Sequence, residues 1–302
     1  MSDAKAVILD HRGLLRIGGA DRVDFLQGIV SNDVARVSSD RTVWSAFLTP
    51  QGKFLHEFFQ AAQGDTFLLD CEAERRADLA RRLKLYKLRS QVTVEDASED
   101  HVIAALFGAD ALAKLGLPGE PGATIPFGGG LAFVDPRLAR LGARAILPKD
   151  GAAAALAEAG FTEATLEDYD RLRIAAGAPD GSRDMEVERS ILLENGFDEL
   201  HGVDWDKGCF MGQELTARTK YRALIKKRLL PVEIEGPLPE AGSAVTRDGK
   251  NAGVLRSVVA GEGNTALGLA LLRLDSLGDR YDAPLMAGDA KVTARKPDWA
   301  EF

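Results

Sequence analysis

The sequence predicts an α+β protein that ends in an all-β barrel. Three observations carry this. Helical apolar spacing and short apolar strand runs alternate through the first 225 residues. Beyond Lys226 the chain breaks into short strands separated by Gly, Pro and Asp, with no convincing helix. At 302 residues and 45% hydrophobic, it is also long enough to bury the cores of two or three domains.

The elements follow in order. Between Asp21 and Arg36, the residues Val23, Leu26, Ile29, Val30 and Val34 recur at helical spacing. The runs TVWSAFLTP, FLHEFFQA and TFLLDC then alternate with turns at Gln51-Gly52-Lys53 and Gln63-Gly64-Asp65, which reads as an antiparallel meander. Residues 72–86 form an amphipathic helix with Leu79, Leu83 and Tyr86 inward, and VTVEDA and VIAALFG add two strands. The Gly- and Pro-rich stretch 116–151 reads as a surface connection; its PFGGG is not followed by the Lys-Ser/Thr of a phosphate loop. Helices are expected over 152–159 and 165–176. RLLPVEI, SAVTRDG, NAGVLRSVVAG, TALGLALLR and AKVTARK are the strands of the barrel. The domains expected are an α+β region over 1–225, built of two intertwined lobes with a boundary near 45–100, and a barrel over 226–302.

Composition narrows the function classes. The net charge of −8 argues against a general nucleic-acid binder. There is no apolar run near the roughly 20 residues of a membrane helix and no secretory start, so neither a membrane nor a nucleic-acid partner is expected, and a cytoplasmic protein is. Cys71 and Cys209 are the only cysteines, and His11, His56, His101 and His201 lack ligand spacing, so no resident metal site is expected. Charge is locally segregated. Asp180–Asp206 holds nine acids and two arginines, whereas Thr216–Arg228 holds six cations and no acid, a face suited to an anionic ligand or an acidic partner, or simply to solvent.

The stretch with the clearest chemistry is Asp206-Lys207-Gly208-Cys209-Phe210-Met211-Gly212-Gln213-Glu214. Two glycines flank a cysteine, and a helix starts at Gln213 and runs toward Arg218. Helix dipole and Lys207 would both favour the thiolate, the local pattern of a reactive cysteine. The alternative is a small buried hydrophobe, the reading given to Cys71 in FLLDC.

This run resembles the Lys-Gly-Cys-Tyr-x-Gly-Gln-Glu signature of the YgfZ family of folate-binding iron–sulfur assembly proteins, related to the glycine-cleavage T-protein aminomethyltransferase. LTARTKYRALIKKRLLPV is similar in particular to its mitochondrial and alphaproteobacterial branch. FLQGIVSNDV, AFLTPQGKFL, RLRIAAGAPDG, GLALLR and Lys296-Pro297-Asp298-Trp299 fall in the family's order. The resemblance implies discontinuous T-protein-like α/β lobes and a C-terminal barrel around a central channel for tetrahydrofolate. It implies Cys209 and Lys207 as the residues tied to activity, with Glu194, Asn195, Gln213 and Arg218 toward the cofactor, and iron–sulfur assembly or client proteins as partners. The alternative function is an aminomethyltransferase-like one-carbon enzyme, and a third is a scaffold with a vestigial folate pocket. Two departures bear on these. His56-Glu57 stands where the T-protein carries an Asp-Asp pair, and Ala175 where the family's pterin-binding glutamate falls. Asn32-Asp33 reads as a cap or turn at the end of the first helix rather than a ligand contact, and Glu194 as either a solvated acid or a channel carboxylate.

Overall fold

The computed structural model describes residues 4–222 and 224–301. The chain divides into two compact units, each assembled from separate stretches. One comprises Met1–Leu48, Leu55–Tyr169 and His201–Met211; the other comprises Thr49–Phe54, Asp170–Leu200 and Gly212–Phe302.

The first unit holds two sheets. One is antiparallel, with strand order β3-β4-β5-β2-β6: β2 Arg12–Gly18, β3 Val43–Leu48, β4 Phe54–Gln63, β5 Thr66–Glu72 and β6 Thr93–Asp96. The other has the order β11-β1-β7-β10-β9-β8: β1 Lys5–Ile8, β7 His101–Phe107, β8 Thr124–Phe127, β9 Gly130–Val134, β10 Ala143–Pro148 and β11 Thr162–Glu163. Helices α1 Arg22–Gln27, α2 Arg76–Tyr86, α3 Ala111–Leu115 and α4 Ala152–Glu158 complete it.

Strand β4 is buried on both faces for eight residues, as a strand covered on both sides should be. A charged cluster lies in that interior. Arg12 pairs with Glu57 and, at 2.7 Å, with Asp70; Arg144 pairs with Asp70 at 2.6 Å, tying β10 of one sheet to β5 of the other. The guanidinium groups of Arg12, Arg137 and Arg144 lie 5.6, 5.0 and 4.3 Å from the Phe59 ring centroid. Such a cluster is held by mutual pairing, since each charge alone would be costly to bury.

In the second unit, β12 Lys227–Glu235, β13 Ala244–Arg247, β14 Lys250–Ala260, β15 Thr265–Arg273, β16 Leu285–Ala287 and β17 Ala290–Ala294 close a barrel, with β12 joined to both β15 and β17. Alternation sorts its side chains. Leu230, Ala270 and Leu272 fill the interior, while Leu229, Leu269 and Leu271 turn outward onto Ile174 of α5 (Leu166–Ala176). Short α6 (Gly181–Asp184) and α7 (Gln213–Tyr221) complete this unit.

Here Arg173, fully buried, pairs with Asp170 at 2.5 Å and Asp184 at 2.7 Å and donates to Ser257 at 3.0 Å. The Trp299 indole donates to the Ala176 carbonyl at 2.7 Å, and a Cβ on Gly196 would fall 2.8 Å from that ring. RLRIAAG and the Lys-Pro-Asp-Trp tail are therefore parts of one structural clasp.

Three expectations need correction. The stretch 116–151 is not a surface connection: it supplies β8, β9 and β10, and Gly128 and Gly129, at φ +55° and +77°, make the turn between β8 and β9. The helical spacing over 21–36 yields only α1. Val30 bridges Phe47, and Val34–Arg36 is a separate 3-10 turn whose cap is Asp33, accepting from the Ala35 amide. The expected Leu79 and Leu83 are inward, but Tyr86 is 40% exposed. No helix among the described residues is long and apolar enough to cross a membrane.

Candidate functional site

Within the first unit, residues His201–Met211 are fastened to the end of α1 and the turn after it. Ser31 donates to the Gly202 carbonyl at 2.6 Å, Asn32 to the His201 carbonyl at 2.7 Å, and the Asp204 amide to the Ser31 carbonyl at 3.0 Å. Lys207 donates through Nζ to the carbonyls of Gln27, 2.7 Å away, and Val30, 2.6 Å away. Carbonyls at a helix C-terminus lack intrahelical donors, and a cation there also meets the negative end of the dipole. Gln27 donates to Asp33 at 2.8 Å and accepts from the Val34 amide at 2.8 Å, and the Met211 amide closes the loop onto the Gly28 carbonyl at 3.2 Å.

The loop tip rises from this base. Gly208 takes φ +92°, Cys209 is exposed, and Phe210 is buried with the Lys207 ammonium 5.4 Å from its ring centroid. Burial lowers Lys207 from 10.5 to about 8, with Asp33 and Asp204 acting in the opposite sense. The ammonium expected to serve the neighbouring thiol is instead directed onto two backbone carbonyls. Helix α7 begins at Gln213, so Cys209 is not in its first turn, where the dipole acts. What the geometry provides is a presented thiol on an anchored loop. Gln27, Ser31 and Asn32 brace the loop in a way not foreseen from the sequence, although the FLQGIVSNDV motif was their signal. Cys71 is buried, and burial pushes its thiol far above the usual range.

The remaining candidates belong to the second unit. Glu194 lies in the 3-10 turn Leu192–Asn195, half-buried, in a cleft of about 470 Å³ lined also by Arg189, Ser190, Lys227 and Arg256. Burial raises its carboxyl, opposed by Lys227, Lys53 and Arg228. Asn195 is buried; it donates to the Ile191 carbonyl at 2.9 Å, while its Oδ1 has no hydrogen-bond partner. Gln213 opens α7, half-buried, and Arg218 is exposed on the same helix. Of the basic run, Lys220 pairs with Asp198 at 2.9 Å and Arg228 with Glu199 at 2.7 Å; Arg222, Lys226 and Lys227 are exposed. Ala175 is exposed, with no carboxylate to offer.

The positions that would hold a transferase's acidic pair are occupied otherwise. Glu57 is buried and accepts from Arg12 and, at 2.5 Å, from the Trp44 indole. His56 lies 3.1 Å from Asp78, and burial, the largest cause, lowers its ring from 6.5 to about 4, so it is neutral at physiological pH. Among the described residues, no three His, Cys, Asp or Glu side chains converge on a metal-ion site.

Residues 226–302 match the family model described as the CAF17 C-terminal beta-barrel domain. A mouse protein named iron-sulfur cluster assembly factor IBA57, mitochondrial, is 35% identical over 96% of this chain and 84% of its own length. The chain belongs to the IBA57 family. The human IBA57 is 33% identical over the same shares of the two chains. Both relatives are named as mitochondrial, which overturns the expectation of a cytoplasmic protein. A glycine cleavage system aminomethyltransferase T from Bartonella henselae superposes with a TM-score of 0.78 at 18% identity, covering 99% of this chain and 87% of that one. IBA57 family membership is thus joined to the aminomethyltransferase fold predicted from the sequence, with a closed six-stranded barrel at the C-terminus.

Proposed function

We propose that this protein acts in the assembly or repair of iron–sulfur clusters in client enzymes, and that Cys209 is the ligand it lends to a cluster in transit. The observation that carries this reading is a solitary exposed thiol on a loop held at its base by Lys207, Ser31 and Asn32. A cluster ordinarily takes about four protein ligands, so the others come from a partner protein. A pre-ordered loop lowers the entropy lost when that shared site forms. The names of the mouse and human relatives support the same cargo, and the resemblance to YgfZ proteins agrees with it. The test is a deletion strain complemented with wild type or Cys209→Ser. Aconitase-type and radical enzyme activities are expected to fall in the variant at equal protein abundance, and normal activities there would refute the role of the thiol.

The second part of the proposal is that tetrahydrofolate binds, with Glu194 accepting from pterin N–H donors and Lys227 attracting a glutamyl carboxylate, while Arg256 and Arg189 pair with Glu186 on the same cleft at 2.8 and 3.6 Å. The residue types of the Glu194 cleft fit such a ligand, and its volume of about 470 Å³ suits a small molecule. Bound tetrahydrofolate supplies a carrier for one-carbon groups. Burial of the Glu194 carboxyl is the kind of penalty that charge-assisted N–H donors offset. Asn195, Gln213 and Arg218, which the family resemblance places toward the cofactor, do not line this cleft and are proposed only as neighbours that shape the site. Calorimetry with tetrahydrofolate tests this. Binding should weaken in Glu194→Gln; no binding by wild type would remove the folate part and leave the thiol part standing.

The aminomethyltransferase reading is disfavoured by one observation: Glu57 is engaged by Arg12 and Trp44 and so is not free to serve as acid or base. Purified protein should show no amine-dependent methylene-folate formation, and robust turnover would restore that reading.

A further inference from the structure

Among the described residues, the exposed large apolar side chains of the first unit all lie within four positions at the end of α2. Leu85 is 62% exposed, Tyr86 40% and Leu88 86%. The inner face of α2 already rests on the core through Leu79 and Leu83, and Tyr86 packs edge-on against Phe47 at 5.8 Å, which leaves Leu85 and, two residues past the helix end, Leu88 as the apolar side chains facing solvent. Upstream on the same face, Ala77, Ala80, Arg81, Lys84 and Leu85 line a shallow groove of about 460 Å³. Their spacing is that of a single helix face, small residues first and large ones last, which admits another helix closely at one end and grips it at the other. Leu88 stands at φ +44°, an unusual conformation for a residue other than glycine and one that clusters at functional sites. The Ser90 amide bonded to the Lys87 carbonyl at 2.7 Å and Lys87 Nζ bonded to the Val92 carbonyl at 2.9 Å hold that turn.

Charge selects the partner. Residues 79–94 contain five cations and no acid in a protein of net charge −8. Arg81 and Arg82 pair with Asp78, at 2.5 and 2.7 Å, and Lys87 is bonded to a carbonyl. Lys84 and Arg89 form no salt bridge among the described residues and flank the leucines. Electrostatic membrane docking draws on clusters of about four to eight cations, more than this face has available. A groove floored by alanines also suits a helix better than a lipid surface. We infer that this face of α2, with the turn that follows it, docks an amphipathic helix of a partner protein, whose apolar stripe packs on Ala77, Leu85 and Leu88 and whose flanking Asp or Glu residues meet Lys84 and Arg89. This surface shares no residue with the thiol loop.

The test titrates the full-length, isotope-labelled chain with a synthetic helix bearing leucines along one face and glutamates beside them, in parallel with a version carrying lysines for the glutamates. Saturable binding of the acidic helix is expected, with amide shifts confined to residues 77–92 and weakening as salt is added. Leu85→Ser/Leu88→Ser and Lys84→Glu/Arg89→Glu should each weaken it at least ~10-fold, the loss typical of an anchoring contact. Both pairs are exposed, so an unchanged melting temperature separates this effect from misfolding. The inference is overturned by equal binding of the two helices, by shifts mapping elsewhere, by variants that bind like wild type, or by no saturation below ~1 mM. It is also overturned if anionic phospholipid vesicles, and not the helix, bind with the same sensitivity to the variants. Self-association abolished by the same substitutions would likewise replace the partner helix with a second copy of this chain.

Discussion

Replacing Lys207 with methionine removes the ammonium but keeps most of the apolar stem against Phe210. The carbonyls of Gln27 and Val30 then lose their donor at the end of α1. Two hydrogen bonds from a charged group are worth about 3–6 kcal/mol before desolvation. The half-buried site offsets much of that, as the lowering of Lys207 to about 8 indicates. A net loss of ~1–2 kcal/mol remains, too small to unfold the protein but enough to raise local opening of the loop ~5- to 30-fold. Amide hydrogen exchange reads this directly. The Met211 amide, bonded to the Gly28 carbonyl, and the Asp204 amide, bonded to the Ser31 carbonyl, should exchange faster by about that factor. Amides of the β12–β15 pairing should not change. The pH dependence has a definite sign. A lysine depressed in the folded state binds fewer protons there than in the unfolded chain, so on top of what it holds at neutral pH it adds a stabilising increment that is complete above 10.5 and is lost as pH falls toward about 8. The gap in protection between wild type and Lys207→Met should therefore widen as pH rises through that window. Unchanged exchange at both amides, or a gap that narrows with pH, would show that Lys207 is not the fastening of the Cys209 loop.

Other consequences are measurable in the same protein. His56, lowered from 6.5 to about 4 mainly by burial, should make the fold lose about 3 kcal/mol as pH falls from 6.5 to 4, and His56→Gln should flatten that part of the denaturant-stability profile. Asp70→Asn, between Arg12 and Arg144, should cost about 3–5 kcal/mol in chemical denaturation because it leaves buried guanidinium charge uncompensated. Gly196→Ala should destabilise the barrel unit by about 1–3 kcal/mol, since φ is +73° and the new methyl meets the Trp299 ring; a shift of tryptophan emission would accompany it.

The barrel was legible because each strand repeats a simple rule. Ala270 and Leu272 point inward, Leu269 and Leu271 outward, and turn residues separate the runs. The region 116–151 was not, because a density of Gly and Pro marks a tight hairpin as readily as a loop; only the pairing of β9 with β10 distinguishes them. The first helix was overextended because Ile29, Val30 and Val34 keep helical spacing while tertiary contacts hold them in a bridge and a 3-10 turn. At the candidate site, the thiol's exposure was foreseen from its glycines. The anchoring of Lys207 was not legible because its partners are backbone carbonyls 180 and 177 residues away, and carbonyl acceptors have no side-chain signature in sequence.

The acidic positions bear on whether this aminomethyltransferase fold carries an acid and a base for amine transfer. A general base must be able to take a proton near neutral pH, so its carboxylate needs open lone pairs and an environment that does not lock in the charge. Glu57 has the reverse: Arg12 and the Trp44 indole occupy its oxygens, and Arg12 is itself joined through Asp70 to Arg144. Its carboxylate has become part of the core that joins the two sheets. His56 is buried with its proton affinity lowered and its ring bonded to Asp78. The strand that would position an acid and a base for amine transfer thus serves packing in this chain. With it committed, Cys209 on its fastened loop is the exposed thiol of the first unit, Cys71 being buried, and chemistry is carried by such sites more than by the fold that holds them.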